Sequence, residues 1–324
     1  MPPRLVGTVG LALVAVVALG LALRAPLATT ALALMAFGVL HNVLELRYVG
    51  GRFATLLSGT FLRLLVALIT GIVICRLAGA VFSGGWAVLA EIVLAYGLIV
   101  AAAWLGLRRR PWLLAGALAV VVLAVLTSVR WPAYHVVVIT HLHNLVPLAF
   151  LWEFSATMPR RPRRALRVTQ LAWLLAVPAL ILAGVADGLM ADGSAAVEKF
   201  AGAPAVVAAS TTPPGMWGTT VGLRFLTVFA FLQLMHFVVW VWFLPRYAPA
   251  AARAFGARVP WLRGWRAWAL GLGVGALLVV LFVVDYEQGR TVYAALASYH
   301  AYLELPVLLA MLMGLAGMGA KAGR

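Results

Sequence analysis

The chain has 324 residues, of which 65% are hydrophobic and only 10% carry a charged side chain, and its formal net charge is +16. Soluble globular domains contain about 25% charged residues, so this composition excludes a soluble protein and predicts an integral membrane protein. The positive charge does not predict a nucleic-acid partner, because the arginines fall in short segments between apolar runs, as in cytoplasmic loops of membrane proteins. The single cysteine, Cys75, lies in an apolar segment, which excludes a disulfide framework and a paired-thiolate metal site.

Ten segments are long and apolar enough to cross a bilayer, which takes about 20 residues. In chain order they cover residues 5–23, 28–46, 60–79, 86–106, 112–130, 134–155, 166–186, 219–243, 267–285 and 292–316. The first segment is read as a span and not as a cleaved secretory signal, because Arg24 and Pro26 stand where a small-residue cleavage site would be. The sequence therefore predicts an all-α, polytopic helical bundle that forms a single transmembrane domain over residues 1–324.

Arginine placement predicts the orientation of these spans. The loops after the second, fourth, sixth and eighth segments are rich in arginine, among them Arg52, Arg108, Arg161 and Arg258, whereas the intervening loops carry few basic residues. Basic loops remain on the cytoplasmic side, so both termini are predicted to be cytoplasmic and the long connection 187–218 to be an extracytoplasmic loop. The high Ala, Arg and Gly content is typical of a GC-rich bacterial genome, so we expect a multi-pass protein of the bacterial cytoplasmic membrane.

Four of the predicted spans carry histidine inside the apolar segment. An ionisable residue at membrane depth is costly, and by default it indicates a functional site. In the predicted topology all four spans run in the same direction, and the histidines lie roughly 8 to 18 residues from the outer end, a spread of about 15 Å. We therefore expect a common buried site lined by His41, His141 or His143, His236 and His300. His135 lies near the end of its span and is not counted in the site.

Two of these histidines are followed by glutamate four residues later. The pairs are His41 with Glu45 and His300 with Glu304. Residues at this spacing share a helix face, so each pair can direct an imidazole and a carboxylate into one cavity. A carboxylate that holds the second ring nitrogen of a metal-bound histidine is a common arrangement. Glu91 and Glu153 also lie inside predicted spans, but without a histidine at helical spacing.

His141 and His143 are two residues apart, so on one helix they point about 200° away from each other. One straight helix cannot aim both at the same site. Pro147 follows closely and can bend the helix, which relaxes this constraint. Depth slightly favours His143, and both residues remain candidate metal ligands.

Imidazole together with carboxylate suits non-haem iron (Fe²⁺) best, with zinc, manganese or copper as alternatives. Histidines on facing helices could instead be axial ligands of a haem in an electron-transfer protein. A proton- or cation-coupled transporter would also use buried His and Glu, although the two halves show no matching pair of Gly- or Pro-broken helices. A lone membrane histidine is more often a hydrogen-bonding partner between helices. The spread over four spans and the two His–Glu pairs favour the metal site.

At these residues the chain resembles the Brp/Blh family of membrane dioxygenases, which cleave beta-carotene to retinal. The segment His41-Asn-Val-Leu-Glu45 is similar to the family motif P-H-G-x-x-D, although Leu40 and Asn42 replace the proline and glycine. Met235-His-Phe-Val-Val-Trp-Val-Trp242 resembles R-H-F-x-F-V-W, and His300 with Glu304 resembles P-H-x-x-x-x-D. His141 or His143 would take the position of I-H-F-G.

This resemblance implies an oxygenase in which the histidines bind iron and the substrate is apolar, either carotenoid- or lipid-like, and enters from the lipid bilayer. Glu45 and Glu304 would then be catalytic groups, which either support the metal-bound histidines or bind a metal themselves.

Overall fold

The structure is a computed structural model that describes residues 3–82, 85–191, 197 and 204–314. These residues form helices and connecting turns, with no strand among them, which confirms the predicted all-α class. In chain order the helices are α1 (Pro3–Arg24), α2 (Pro26–Arg52), α3 (Gly59–Val81), α4 (Trp86–Leu107), α5 (Pro111–Arg130), α6 (Pro132–Leu145), α7 (Pro147–Ser155), α8 (Arg160–Leu171), α9 (Val177–Leu182), α10 (Pro204–Ala208), α11 (Thr220–Phe237), α12 (Leu244–Tyr247), α13 (Pro249–Arg258), α14 (Arg266–Val284) and α15 (Tyr286–Leu312).

Within the described residues, ten stretches are long and apolar enough to cross a membrane, which confirms the predicted number of spans. Three of them are composite, because α6 with α7, α8 with α9, and α11 with α12 each make up one stretch. The protein is therefore a multi-pass membrane protein. The largest differences from the predicted bounds are at three helix ends: α2 continues to Arg52, α8 begins at Arg160 and α15 begins at Tyr286.

In each of the three composite spans, the α-helix is interrupted close to a proline. Pro147 has no N–H to donate to the carbonyl oxygen of His143, so α6 ends at Leu145 and the N–H of Val146 bonds to that oxygen at 3.2 Å instead. In the other two composite spans the helix widens to a π-helix over Ala172–Ala176 and Val238–Phe243. Each widened segment ends two residues before a proline, Pro178 or Pro245.

The chain divides into two compact units, and the first consists of residues 1–44, 136–249 and 267–289. Here α1 packs against α8 and α11, and α9 packs against α11. Small residues allow close approach in this unit: a Cβ built on Gly271 of α14 would lie 3.1 Å from the Cα of Leu40 on α2. His41 and His236 lie on two helices of this unit, α2 and α11, and His143 lies on α6.

The second unit consists of residues 45–135, 250–266 and 290–324. In this unit α4 packs between α3 and α5. A polar network joins α3, α4 and α15: Arg76 donates to Glu91 Oε1 at 2.7 Å and to the carbonyl oxygen of Ala294 at 2.7 Å, and Tyr302 donates to Glu91 Oε1 at 2.6 Å. Because each partner is hydrogen-bonded to another, the network satisfies charges that would be costly in an apolar span.

The predicted loop 187–218 is only partly described, since residues 192–196 and 198–203 lie outside the described residues. Its described part contains a single 3₁₀ turn at Asp187–Leu189 and the short helix α10. Val207, Thr211 and Thr212 are buried, so the end of the loop packs into the first unit. Its extracytoplasmic location stays a prediction, as does the interpretation of the whole chain as one domain.

Candidate metal centre

Three histidines of the first unit come together from three different helices. The ring centroids of His41 and His236 are 5.1 Å apart, and those of His143 and His236 are 4.5 Å apart. Each ring offers one nitrogen, and these nitrogens all lie within 4.8 Å of one another. His41 and His236 are fully buried and His143 is half-buried. We call these three residues the histidine triad, and it could hold a metal ion.

A backbone hydrogen bond orients the ring of His41. Its Nδ1 lies 3.1 Å from the carbonyl oxygen of Phe37, one turn earlier on α2. Since a carbonyl oxygen can only accept, Nδ1 carries the hydrogen and Nε2 carries the lone pair. In metal-binding histidines, the ring nitrogen that does not bind the metal typically makes a hydrogen bond of this kind.

Aromatic side chains surround the triad. Phe237 lies against His41 with centroids 4.5 Å apart, and Trp240, in the π-helical segment, lies 6.3 Å from His236. Phe150 of α7 packs on Trp240 at 5.5 Å. These rings put apolar surface beside His41 and His236, and in apolar surroundings the electrostatic interactions between an ion and its ligands are stronger than in water.

His141 lies outside the triad. Its Nε2 donates to the carbonyl oxygen of Thr211 at 2.8 Å, and its ring makes T-shaped contacts with Phe225 and Phe229 of α11. The structure therefore separates the two candidates of this span as the 200° argument requires: His143 faces His236, and His141 faces the end of the loop 187–218. The Pro147 break lies beyond both histidines and does not turn His141 toward the triad.

His135 belongs to a different polar group, in the second unit. Its Nδ1 lies 3.0 Å from Ser128 Oγ, and the hydroxyl of Tyr96 lies 2.9 Å from the same oxygen. The sequence analysis did not count His135 in the site. Because it is buried but has separate hydrogen-bonding partners, His135 is a suitable control residue for substitutions in the triad.

Glu45 and Glu304 form a carboxyl pair in the second unit. Both are buried, their carboxyl oxygens lie within 4.8 Å of each other, and the two side chains are hydrogen-bonded. Because a carboxylate has no hydrogen to donate, this bond requires a shared proton. Glu45 lies one turn after His41 on α2, and the buried His300 lies one turn before Glu304 on α15. Whether His300 is a metal ligand stays a prediction from the sequence.

The sequence analysis did not single out Arg76 or Thr211. An arginine inside an apolar span is itself a signal, because such a charge needs a partner, and Glu91 on the next span is that partner. Thr211 contributes a backbone atom, so no side-chain pattern could have predicted its contact with His141.

Comparisons of the chain with protein-family models, with curated proteins and with solved structures found no match. The fold and the site define a multi-pass helical membrane protein with a buried group of histidines that could bind a metal ion.

Proposed function

We propose that the protein is a membrane-embedded, metal-dependent oxygenase that binds non-haem iron at His41, His143 and His236 and oxidises an apolar, carotenoid- or lipid-like substrate. The observation that carries this proposal is the histidine triad, in which three buried or half-buried imidazoles from three helices present ligand nitrogens within 4.8 Å of one another.

The spacing of the nitrogens supports a single ion. Imidazole nitrogen binds a transition metal at about 2.1 Å, so three nitrogens on one ion lie roughly 3.0–3.6 Å from one another. The triad nitrogens lie within 4.8 Å of one another, and rotation about side-chain torsions can bring them closer. Three nitrogen ligands leave positions open for an oxygen ligand and for dioxygen, as in non-haem iron oxygenases.

Iron at this position would supply the binding and activation of dioxygen. The chain's own groups would fix the ion, exclude water and hold a proton. The carbonyl of Phe37 holds the ring of His41, and Phe237 and Trp240 keep the surroundings apolar. Glu45, one turn after His41, and its partner Glu304 are the proposed carboxyl groups of the reaction, as ligands or as proton carriers.

The proposed reaction is the oxidative cleavage of a carbon–carbon double bond. One alkene and one dioxygen give two carbonyl groups, so both oxygen atoms enter the products and no external electrons or protons are needed. The resemblance of the histidine segments to the Brp/Blh family supports this reaction and an apolar polyene as the substrate. The same resemblance and the bacterial composition support a location in the bacterial cytoplasmic membrane, with the bilayer as the source of the substrate.

The test is product formation by iron-loaded protein. Detergent-purified protein is loaded with Fe²⁺ without oxygen, then mixed with beta-carotene and ¹⁸O₂, and the products are analysed by mass spectrometry. We expect ¹⁸O-labelled carbonyl products from wild type and from His135→Ala, and none from His236→Ala. Iron-loaded wild type that consumes no dioxygen with any apolar alkene would overturn the oxygenase proposal. A Soret band would point to haem, and proton-coupled uptake that survives metal removal would point to transport.

A further inference from the structure

The segment 204–212, which comprises α10 and the turn after it, is tied to α6 by the side chain of His141. The Nε2–H of His141 donates to the carbonyl oxygen of Thr211 at 2.8 Å. The ring is flanked by Phe225 and Phe229, whose centroids lie 5.9 and 5.5 Å away. His141 is thus in T-shaped contact with two rings of α11 and hydrogen-bonded to the segment through Nε2.

The segment 204–212 is internally braced at the point where His141 holds it. The hydroxyl groups of Thr211 and Thr212 both donate to the carbonyl oxygen of Ala208 at 3.0 Å, and the backbone N–H groups of the same two residues bond to that oxygen as well. Ala208, Thr211 and Thr212 are buried. A bond to Thr211 therefore holds the end of α10 and not only one loose residue.

Helix α6 carries His141 and His143 on different faces. It has 14 residues and ends at Leu145, because Pro147 interrupts the hydrogen-bond ladder into α7. The break is local, since Val146 between the two helices keeps helical dihedral angles. His141 and His143 point about 200° apart, so a bond that holds His141 on one face directs His143 on the other.

We propose that His141 is a positioning residue, whose hydrogen bond to Thr211 couples the segment 204–212 to the direction in which His143 faces the metal. This inference rests on the proposed role of the triad. It gives the end of the loop 187–218 a function: displacement of the segment, for example by a substrate that enters beside it, weakens the metal site through α6.

The first test compares two variants of similar size in the full-length protein. His141→Gln keeps an N–H donor for the carbonyl of Thr211, whereas His141→Leu fills the space without a donor. The affinity for Zn²⁺ and Fe²⁺ is measured by competition with a chelator. We expect His141→Leu to bind about 10-fold more weakly than wild type, in the range found for residues that orient metal ligands, and His141→Gln to restore most of the affinity. Equal affinities of Leu and Gln variants would overturn the positioning role.

The second test does not need a metal. Thr212→Cys is introduced into a Cys75→Ala background, and the rate of maleimide labelling is measured in metal-free protein with His141, His141→Gln or His141→Leu. Faster labelling in the Leu variant alone is expected if His141 holds the segment, and unchanged labelling would overturn that link even if the triad binds metal. If labelling changes but wild type binds no metal, the link stands, and the proposed function and the positioning of His143 fail together.

Discussion

The Nδ1–H of His41 donates to the carbonyl oxygen of Phe37, one turn earlier on the same helix, at 3.1 Å. This contact determines which nitrogen of His41 carries the lone pair, and it does so with backbone alone. Metal-binding histidines elsewhere often need a separate carboxylate for this purpose. In this protein the backbone of α2 holds Nδ1, so Nε2 is the nitrogen of His41 that could bind a metal, and Glu45 is hydrogen-bonded to Glu304.

Gly271 and Gly273 of α14 provide a matched pair for testing how α14 supports His41. A Cβ on Gly271 would lie 2.9 Å from Leu40 Cδ1 and 3.1 Å from its Cα, next to His41, whereas a Cβ on Gly273 has no atom within 4 Å. We expect Gly271→Ala to lower the free energy of unfolding by about 1–3 kcal/mol, because α14 must move away from α2. We expect the metal affinity of Gly271→Ala to fall as well. Thermal unfolding in detergent measures the change in stability, and chelator competition measures the change in metal affinity.

Gly273→Ala is the control for that measurement. It adds the same methyl group on the same helix, and alanine is a better helix former by about 0.8–1.0 kcal/mol, so stability should be unchanged or slightly raised. Equal behaviour of the two variants would contradict the packing of α14 on α2 that the structure shows.

The carboxyl pair predicts a difference between two substitutions of Glu304. Glu304→Gln retains an N–H that can donate to Glu45, whereas Glu304→Ala removes the partner of a fully buried carboxyl group. We expect the Ala variant to lose about 1–3 kcal/mol of stability, the typical cost of a buried polar group left without its bond, and the Gln variant to lose less. Thermal midpoints of the two variants test this expectation. An Ala variant as stable as wild type would show that the bond to Glu45 contributes nothing to stability.

Asp187, which lies outside the spans, makes a pH-dependent contribution to the stability of the folded protein. Hydrogen bonds from Arg224, at 2.9 Å from Nε to Oδ1, hold the pKa of Asp187 below its ordinary value of 3.8. A carboxyl group with a lowered pKa in the folded state stabilises the protein fully above its unfolded pKa, and loses that effect as the pH falls through the folded pKa. We expect Asp187→Asn to lower the thermal midpoint at pH 7 and the difference from wild type to vanish at pH values below the folded pKa. A difference that persists at low pH would show that charge is not the cause.

The spans were predictable because bilayer thickness and apolar composition determine them directly. Ten runs of about 20 apolar residues leave few alternatives in a chain with this little charge. The prediction is less accurate at helix ends. For example, α2 extends to Arg52, because a helix can continue beyond the apolar core and hydropathy does not indicate where its backbone hydrogen bonds end.

The site was predictable in its residue types and less so in its geometry. Helical spacing correctly required His141 and His143 to face apart, and depth slightly favoured His143, which faces His236 in the structure. The sequence kept both candidates, because the choice depends on the rotation of α6. The π-helical turn that follows His236 has no hydropathy signature either. His300 was predicted to join the site from its depth in an apolar span and its helical spacing to Glu304, and this stays a prediction.

The most direct test of the central claim, that the triad binds a metal ion, is metal content per chain together with the visible spectrum. Detergent-purified wild type is compared with His41→Ala, His236→Ala and the control His135→Ala, a buried histidine with separate partners. We predict about one metal ion per chain without a Soret band in wild type and in His135→Ala, and almost none in the two triad variants. Metal content in His236→Ala equal to that of wild type would contradict the account, as would wild-type protein that binds no metal at all.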